Sequence, residues 1–334
     1  MTKFTYWMEL ADSVLHGEHI SKEDVLSMLS APDPDVLALT NAAYKIRYHY
    51  YKNEVKLNMI INAKSGLCPE DCGYCSQSSK ADTDAEKYPL LDKDSLVKGA
   101  REAMERKAGT YCIVASGRGP TDKEIDHVAE AVKEIKGEMP LTICACLGIL
   151  KDGQAARLKE AGVNRYNHNL NTHRENHDNI TTTHTYDQRV ETVNQSKAAG
   201  ISPCSGVIAG MGETDEQLVE TLFALKELDA DSVPVNFLHP VPGTPLENMK
   251  GVAPLLALKI LAAARFILPD KEIRVSGGRE INLRSLQPLS LYAANSIFVG
   301  DYLTTGGQKV KEDHKMIEDM GFHVELEHPL GSVM

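Results

Sequence analysis

The hydrophobic residues follow two alternating patterns along the chain. Short runs rich in β-branched residues recur, and the segments between most of them carry apolar residues three and four positions apart. The first pattern indicates buried strands and the second indicates amphipathic helices. Together they predict eight strands, at residues 57–62, 110–115, 141–147, 165–170, 202–209, 232–238, 272–276 and 296–300.

Two of the intervening segments show the helical pattern most clearly. Their apolar faces are formed by Ile125, Val128, Ala129, Val132 and Ile135 in one, and by Leu218, Leu222, Leu225 and Leu228 in the other. Asp122 and Thr214 stand where a side chain caps a helix N-terminus. The chain therefore alternates strand and helix.

Eight strands that alternate with helices over about 250 residues suit a (β/α)8 barrel of the TIM type. An open doubly wound sheet uses the same alternation and stays open as an alternative. Helical patterns at 6–15, 22–29 and 35–51 precede the first strand. We therefore expect an N-terminal helical cap over residues 1–52, an α/β barrel over 53–320 and a C-terminal tail over 321–334.

Charge and composition narrow the class of protein. Among 334 residues, 47 are acidic and 36 basic, which gives a net charge of −11. A protein that binds bulk nucleic acid or an anionic membrane normally carries basic excess, so we expect neither partner. No run of about 20 uncharged apolar residues is present, and the N-terminus has no export signal. We expect a cytoplasmic globular protein.

The seven cysteines are odd in number, and a chain without an export signal is expected to keep them reduced. Cys68, Cys72 and Cys75 form a C-x3-C-x2-C cluster in the long connection after the first predicted strand. Thiolates suit iron–sulfur clusters, and three of them leave one iron of a cubane without a protein ligand. A zinc ion held by the triplet and a distant His or Cys is the alternative.

The spacing of the triplet resembles that of the radical S-adenosylmethionine (SAM) superfamily. The resemblance implies a [4Fe–4S] cluster on Cys68, Cys72 and Cys75, with SAM bound to the open iron. One electron then cleaves SAM into methionine and a 5′-deoxyadenosyl radical. Tyr74, before the last cysteine, matches an aromatic residue that lies near the adenine.

Four further residues occupy predicted strands two, three, five and seven: Cys112, Cys144, Cys204 and Arg274. Alternate residues of a barrel strand point inward, so these four can converge. Taken singly, a strand cysteine is more often a small buried hydrophobe, and a strand arginine is more often a salt-bridge partner. Taken together, they could hold a second iron–sulfur cluster.

The chain also resembles the biotin synthase family from about residue 40 to 320. The stretches that carry the resemblance are residues 66–77, 166–170, 204–206, 210–214, 243–246, 276–280 and 294–298. The family implies insertion of sulfur between C6 and C9 of dethiobiotin. Its second cluster, [2Fe–2S], is held by three cysteines and an arginine and donates the sulfur. By motif its ligands here are Cys112, Cys144, Cys204 and Arg274. Cys146 has no place in the motif; we interpret it as a spare core cysteine, and ligation of the cluster by Cys146 stays open as the alternative.

The same resemblance assigns the ligand contacts. Asn169 and Asn171 match residues at the SAM ribose and the ureido ring of dethiobiotin, although several family members have Asp where Asn171 stands. Arg189 matches the partner of the SAM carboxylate. The other matched substrate contacts are Lys64, Asn236, Thr304 and Thr305. We interpret His168 and His239 as packing or polar-network residues, because abstraction of a hydrogen atom needs no general base.

Two other functions stay open. Another radical SAM barrel enzyme, such as a hydrogenase-cofactor maturase, would share the triplet but is not expected to carry the full second set. A non-catalytic iron–sulfur carrier would bind a cluster without cleaving SAM. The family further implies a reducing flavoprotein as electron donor and a homodimer.

Overall fold

The computed structural model describes residues 3–325. Its strands are β1 (Glu54–Lys64), β2 (Thr110–Ala115), β3 (Thr142–Cys146), β4 (Arg165–Asn167), β5 (Ser202–Cys204), β6 (Val207–Ala209), β7 (Ser232–Phe237), β8 (Glu272–Val275), β9 (Ser296–Phe298) and β10 (His323–Val324).

The α-helices surround the strands. They are α1 (Lys3–Leu15), α2 (Lys22–Leu29), α3 (Val36–Tyr51), α4 (Lys93–Glu105), α5 (Asp122–Glu138), α6 (Gln154–Ala161), α7 (Arg174–Ile180), α8 (Tyr186–Ala198), α9 (Asp215–Glu227), α10 (Pro254–Ile267), α11 (Arg279–Leu283) and α12 (Val310–Asp319). Two 3-10 helices span Asp33–Asp35 and Arg284–Tyr292.

The strands close into a parallel barrel. They pair in the order β1-β2-β3-β4-β5-β7-β8-β9, and β1 also pairs with β9, with Leu57 opposite Ile297. β6 continues the line of β5 and pairs with β7. Closure confirms the (β/α)8 prediction, and the open doubly wound sheet was wrong.

Alternation along β2 shows how the strands divide core from site. Tyr111 and Ile113 are fully buried on the outer face, where the Tyr111 hydroxyl donates to the carbonyl of Leu96 in α4 at 2.9 Å. Cys112 lies between them and lines the interior cavity. Because successive side chains point to opposite faces, apolar packing against the helices directs Cys112 inward.

Two local predictions need correction. The predicted strand 202–209 is divided at Ser205 and Gly206, because the chain there turns to meet the loop after β4, where the Asn171 amide donates to the Gly206 carbonyl. The cap of α5 is Thr121 rather than Asp122, in a capping box with Glu124, whereas Thr214 caps α9 as predicted.

The helices before the barrel pack on one side of it. α3 lies against α10 and the second 3-10 helix, and α2 lies against α9 and α10. Buried Arg47 of α3 donates to the carbonyls of Ala294 and Glu54, which ties this layer to the strand that closes the barrel. At the other end of the chain, β10 pairs with the start of β1, and residues 326–334 of the predicted tail lie outside the described residues.

No helix within residues 3–325 is long and apolar enough to cross a bilayer.

The break between β5 and β6 yields a prediction about stability. A Cβ on Gly206 would lie 2.0 Å from the carbonyl oxygen of Pro234. We expect Gly206→Ala to lower the free energy of unfolding by about 1–3 kcal/mol, as overpacking does. The matched control is Gly137→Ala in α5, where nothing lies within 4 Å, and a gain of about 0.5–1 kcal/mol is expected. Urea unfolding of both variants measures the difference, and equal stability of the two would contradict the close approach.

Candidate active site

One cavity of about 420 Å³ runs from the barrel interior to the loops that follow the strands. This is the C-terminal face, where barrel enzymes place their active sites. Most of the predicted site residues line it: Cys68, Cys72, Tyr74, Cys75, Cys112, Cys144, Asn169, Asn171, Arg189, Asn236, Arg274, Thr304 and Thr305.

Asp71 fixes the cysteine loop against the loop that precedes α8. Its carboxylate accepts hydrogen bonds from the hydroxyls of Thr181, Thr182 and Thr183, at 2.7, 2.6 and 3.0 Å, and from the amides of Thr182 and Thr183. Burial acts to raise the pKa of Asp71, but these hydrogen bonds outweigh it and hold the pKa below its usual value. The thiol of Cys72 lies 3.8 Å from the Thr181 hydroxyl, so the clamp reaches the cysteines directly.

Glu70 makes a second, buried connection across the same gap. Its carboxylate accepts from the Thr183 hydroxyl at 2.9 Å and pairs with His184 Nδ1. Burial, and then the nearby Arg189 charge, lower the pKa of His184 to about 4. His184 is therefore neutral at pH 7, and its Nδ1–H donates to Glu70. Arg118 closes the group by donating to the Thr183 carbonyl.

The thiols of Cys72 and Cys75 are protonated at neutral pH before any metal binds. Burial raises the pKa of Cys72, although the Arg189 charge opposes the shift, and burial raises the pKa of Cys75 to about 12. A cluster that binds here must displace these protons, because metals bind the thiolate form.

Strand register brings the second set together. Cys112 of β2 lies opposite Cys144 of β3, and the thiol of Cys144 lies close to those of Cys112 and Cys204. The interaction with the Cys112 thiol, together with burial, raises the pKa of Cys144 well above its usual value. Arg274 of β8 shares the cavity wall with Cys112 and Cys144. Three thiols and one guanidinium thus converge from four strands, and this donor set fits a cluster with soft ligands.

A single-ion site is not formed by these side chains. Within residues 3–325, no group of three His, Cys, Asp or Glu side chains is arranged to hold one metal ion. In an iron–sulfur cluster the cysteines bind different irons, so its ligands need not converge on one point.

The loop after β4 provides the polar wall beside the triplet. The amide of Asn171 donates from Nδ2 to the Tyr74 hydroxyl at 2.7 Å. An Asp carboxylate at this position could only accept from the Tyr74 hydroxyl, so the amide reverses the direction of the hydrogen bond and leaves the phenol proton free to donate elsewhere. Arg189 is buried and donates from Nη1 to the carbonyl of Asn169 at 3.0 Å, while its Nε has no partner in the described part of the chain.

The opposite wall is formed by β7 and the loop after β9. Asn236 donates to the Val207 carbonyl and accepts from the Gly277 amide, at 3.1 and 3.0 Å. The Thr304 hydroxyl lies 2.6 Å from the hydroxyl of Ser76, so the loop after β9 contacts the cysteine loop directly. The cysteine loop and the loop after β9 therefore close the same side of the cavity.

Glu280 supports the loop after β9 from below. Its carboxylate accepts from the Tyr302 hydroxyl at 3.2 Å and from the Gln308 amide at 3.1 Å. Buried Arg279 donates to the same carboxylate and, at 2.9 Å, to Asp313 in α12. This network fixes both ends of the segment that carries Thr304 and Thr305.

Two predicted residues lie outside the cavity wall. Lys64 donates to Glu124 at 2.7 Å on the outer side of β1, so the structure does not bring it to the cavity. Cys204 is fully buried behind the wall, where its thiol accepts from Asn167 Nδ2 at 3.2 Å and contacts Cys144.

Cys146 and two histidines complete the wall. Cys146 lies two residues after Cys144 and faces the same cavity, as alternation predicts, and burial raises the pKa of its thiol to about 12. His168 and His239 also line the cavity, and burial lowers the pKa of both. Their interpretation as packing or polar-network residues stays a prediction.

Three contributors to the site were missed in the sequence. Asp71 and Glu70 stand between the cysteines, and the Thr181–Thr183 run that they contact is an unusual polar repeat that could have indicated a clamp. Glu272 stands two residues before Arg274, so strand alternation already placed a carboxylate beside that guanidinium.

Residues 64–225 match the Radical SAM superfamily, and residues 234–323 match the Biotin and Thiamin Synthesis associated domain. The chain is 63% identical over 319 residues to biotin synthase of Bacillus licheniformis, which covers 96% of each chain. It is 61% identical to biotin synthase of Bacillus subtilis strain 168, covering 96% of this chain and 95% of that one.

The chain belongs to the biotin synthase family. It is therefore an enzyme of the radical SAM type and a sulfurtransferase, and its superfamily membership implies a [4Fe–4S] cluster and SAM.

Solved structures of lower identity share the fold of this biotin synthase family member. Methylornithine synthase superposes with a TM-score of 0.83 at 23% identity, covering 95% of this chain and 97% of that one. HydG, a maturase of the [FeFe]-hydrogenase, superposes with a TM-score of 0.82 at 16% identity, covering 98% and 76%. At these identities the similarities show only that the barrel fold is shared.

The clamp on the cysteine loop of this family member yields a prediction. Replacing Asp71 by Ala removes the acceptor for all three threonines, whereas Asn keeps one carbonyl oxygen. We expect amide hydrogen exchange in residues 68–78 to accelerate by about tenfold or more in Asp71→Ala, from the loss of hydrogen bonds to a charged group, and by less in Asp71→Asn. Asp84→Ala, an exposed carboxylate with no hydrogen bond to its side chain in the described chain, is the control. Unchanged exchange in Asp71→Ala would rule out the clamp.

Proposed function

We propose that this chain inserts one sulfur atom between C6 and C9 of dethiobiotin to give biotin, with a [2Fe–2S] cluster as the sulfur source. The proposal is carried by one observation: two separate cysteine sets meet at a single cavity, which all three triplet cysteines, Cys112 and Cys144 line, with Cys204 buried directly behind its wall. One set is local to the loop after β1, and the other is assembled from three strands. When bound, the clusters and SAM supply the electron, the 5′-deoxyadenosyl radical and the sulfur.

The two cysteine sets would divide the cofactors between them. Cys68, Cys72 and Cys75 would hold the [4Fe–4S] cluster on the clamped loop. The deeper set would hold the [2Fe–2S] cluster: Cys112, Cys144, Cys204 and Arg274. Arg274 suits a position on the cluster that must stay weakly held. A guanidinium keeps its proton and would bind the cluster by charge and hydrogen bonding.

The polar walls would orient SAM and substrate. Arg189, buried beside the triplet, offers a fork that matches the SAM carboxylate. Tyr74, Asn169 and Asn171 would contact the adenine and ribose, and the Tyr74–Asn171 hydrogen bond fixes two of these groups relative to each other.

Dethiobiotin would lie between the two cofactors. Asn169 and Asn236 would contact its ureido ring, and Thr304 and Thr305 its carboxylate. The Ser76–Thr304 contact closes the cavity wall over this position and so limits the access of water. A carbon radical requires this exclusion of water. Lys64 is not included among the contacts, because it is engaged by Glu124.

Features outside the cavity are proposed from the family alone. A reducing flavoprotein would supply the electron, and the chain would form a homodimer. The prediction of a cytoplasmic location likewise stays as made from the sequence.

The test is anaerobic turnover of the reconstituted protein. The chain is loaded with iron and sulfide and given SAM, a reductant and dethiobiotin, and both biotin and 5′-deoxyadenosine are measured by mass spectrometry. We expect both products from the unaltered chain and neither from Cys68→Ala, which lacks a ligand of the SAM-binding cluster.

Cys112 and Cys146 give a matched pair of variants. Cys112→Ala is expected to lose biotin formation but retain 5′-deoxyadenosine, because only the sulfur source is removed. Cys146→Ala is expected to retain both products, as a spare core cysteine would. Biotin from Cys112→Ala at the unaltered rate would contradict the ligand assignment. An unaltered chain that binds iron and SAM but yields neither product would favour the non-catalytic carrier.

A further inference from the structure

A buried carboxylate lies beside the proposed arginine ligand. Glu272 is the first residue of β8 and precedes Arg274 by two positions, so both side chains project from the same face of the strand. The Glu272 side chain is 3% exposed and that of Arg274 is 1% exposed. A charged pair removed from water to this degree must be held by specific contacts.

Each oxygen of this carboxylate holds a different guanidinium. Arg274 donates from Nη2 to Glu272 Oε1 at 2.6 Å, and Arg165 of β4 donates from Nη1 to Oε2 at 2.6 Å. Burial acts to raise the pKa of Glu272, but Arg165 and then Arg274 outweigh it and hold the pKa well below its usual value. The carboxylate is therefore anionic between two cations.

Two serines complete the cradle of Arg274. Ser232 accepts from Nη2 at 2.9 Å and donates to Glu272 at 3.1 Å, and Ser296 accepts from Nε at 3.3 Å. Ser296 is itself fixed by Asn58, which donates to it at 2.7 Å. In the described chain Nη1 makes no hydrogen bond, while Arg274 lines the cavity beside Cys112 and Cys144.

We propose that Glu272 is a positioning residue for the second cluster. It holds the guanidinium of Arg274 so that Nη1 is the nitrogen left for the cavity, and it offsets one of the two guanidinium charges buried there. The inference rests on the proposed function, which places a [2Fe–2S] cluster on Arg274 and the three strand cysteines.

The balance of charge explains why the hydrogen bonds to Ser232 and Ser296 would not by themselves hold Arg274 in place. Without the carboxylate, Arg165 and Arg274 are two like charges in a poorly hydrated site, and they repel each other more strongly there than in water. Arg274 would turn away from Arg165, and its two serine contacts are neutral hydrogen bonds, which are weaker than the charged one. The cluster would then lose a fixed fourth ligand.

The experiment follows the two clusters separately in the full-length chain. Each variant is reconstituted anaerobically with iron-57 and sulfide, and the [2Fe–2S] and [4Fe–4S] contents are measured by Mössbauer spectroscopy during incubation with an iron chelator. Glu272→Gln keeps the shape but removes the charge. We expect its [2Fe–2S] signal to decay about tenfold or more faster than in the unaltered chain, as for a lost charged hydrogen bond, with the [4Fe–4S] signal unchanged.

A second pair of variants keeps the test valid if Glu272→Gln does not fold. Arg165→Met leaves the Glu272–Arg274 pair in place, and the double variant Arg165→Met/Glu272→Gln restores the original net charge of the group but lacks the carboxylate. We expect the [2Fe–2S] signal to decay faster in the double variant than in Arg165→Met. We also expect faster decay in the double variant than in the unaltered chain; because the group carries the same net charge in both, this comparison separates the contact with Arg274 from the charge balance.

Several results would overturn the inference. These are equal [2Fe–2S] decay in Arg165→Met and the double variant, or parallel loss of both cluster signals, which would indicate general damage. Absence of any [2Fe–2S] signal from the unaltered chain would instead contradict the proposed function, so the two failures are distinguishable.

Discussion

Pairing between β1 and β9 closes the sheet, and the positions of the inward side chains depend on that closure. In a closed parallel barrel, strand register fixes which residues share a layer. Here it sets Cys112 opposite Cys144 and Arg274 opposite Ser296. Groups separated by as many as 162 positions in the chain, from Cys112 to Arg274, therefore meet without any local motif to bring them together.

Inside that frame the two cysteine sets are held by different physical means. The triplet lies on a loop, and a loop needs side-chain hydrogen bonds to keep one shape; Asp71 and Glu70 provide them through Thr181–Thr183 and His184. The strand set needs no such clamp, since the backbone ladder already fixes Cys112 and Cys144. What it needs is charge compensation around Arg274, which Glu272 provides.

Periodicity and motif spacing were enough to predict the eight strands of the barrel, the N-terminal helices and the inward direction of Cys112, Cys144 and Cys146. The break at Gly206 was not predictable, because it arises from the approach of Pro234 and the loop of Asn171, which are distant in sequence. The engagement of Lys64 by Glu124 was missed for a similar reason. Its motif neighbours suggested a substrate contact, and alternation gives it the parity of the cavity-lining Ile60, but the register of β1 shifts between Asn62 and Lys64 and the ammonium group pairs with Glu124.

The sulfur of the product is proposed to come from the cluster on the strand cysteines, and the mechanism depends on this origin. The most direct measurement is a single turnover after reconstitution with sulfur-34 sulfide, followed by removal of free sulfide and mass analysis of the biotin formed. We expect the product to carry sulfur-34 and the [2Fe–2S] absorbance to fall as the product forms. Unlabelled biotin, with the [2Fe–2S] absorbance unchanged, would contradict this origin.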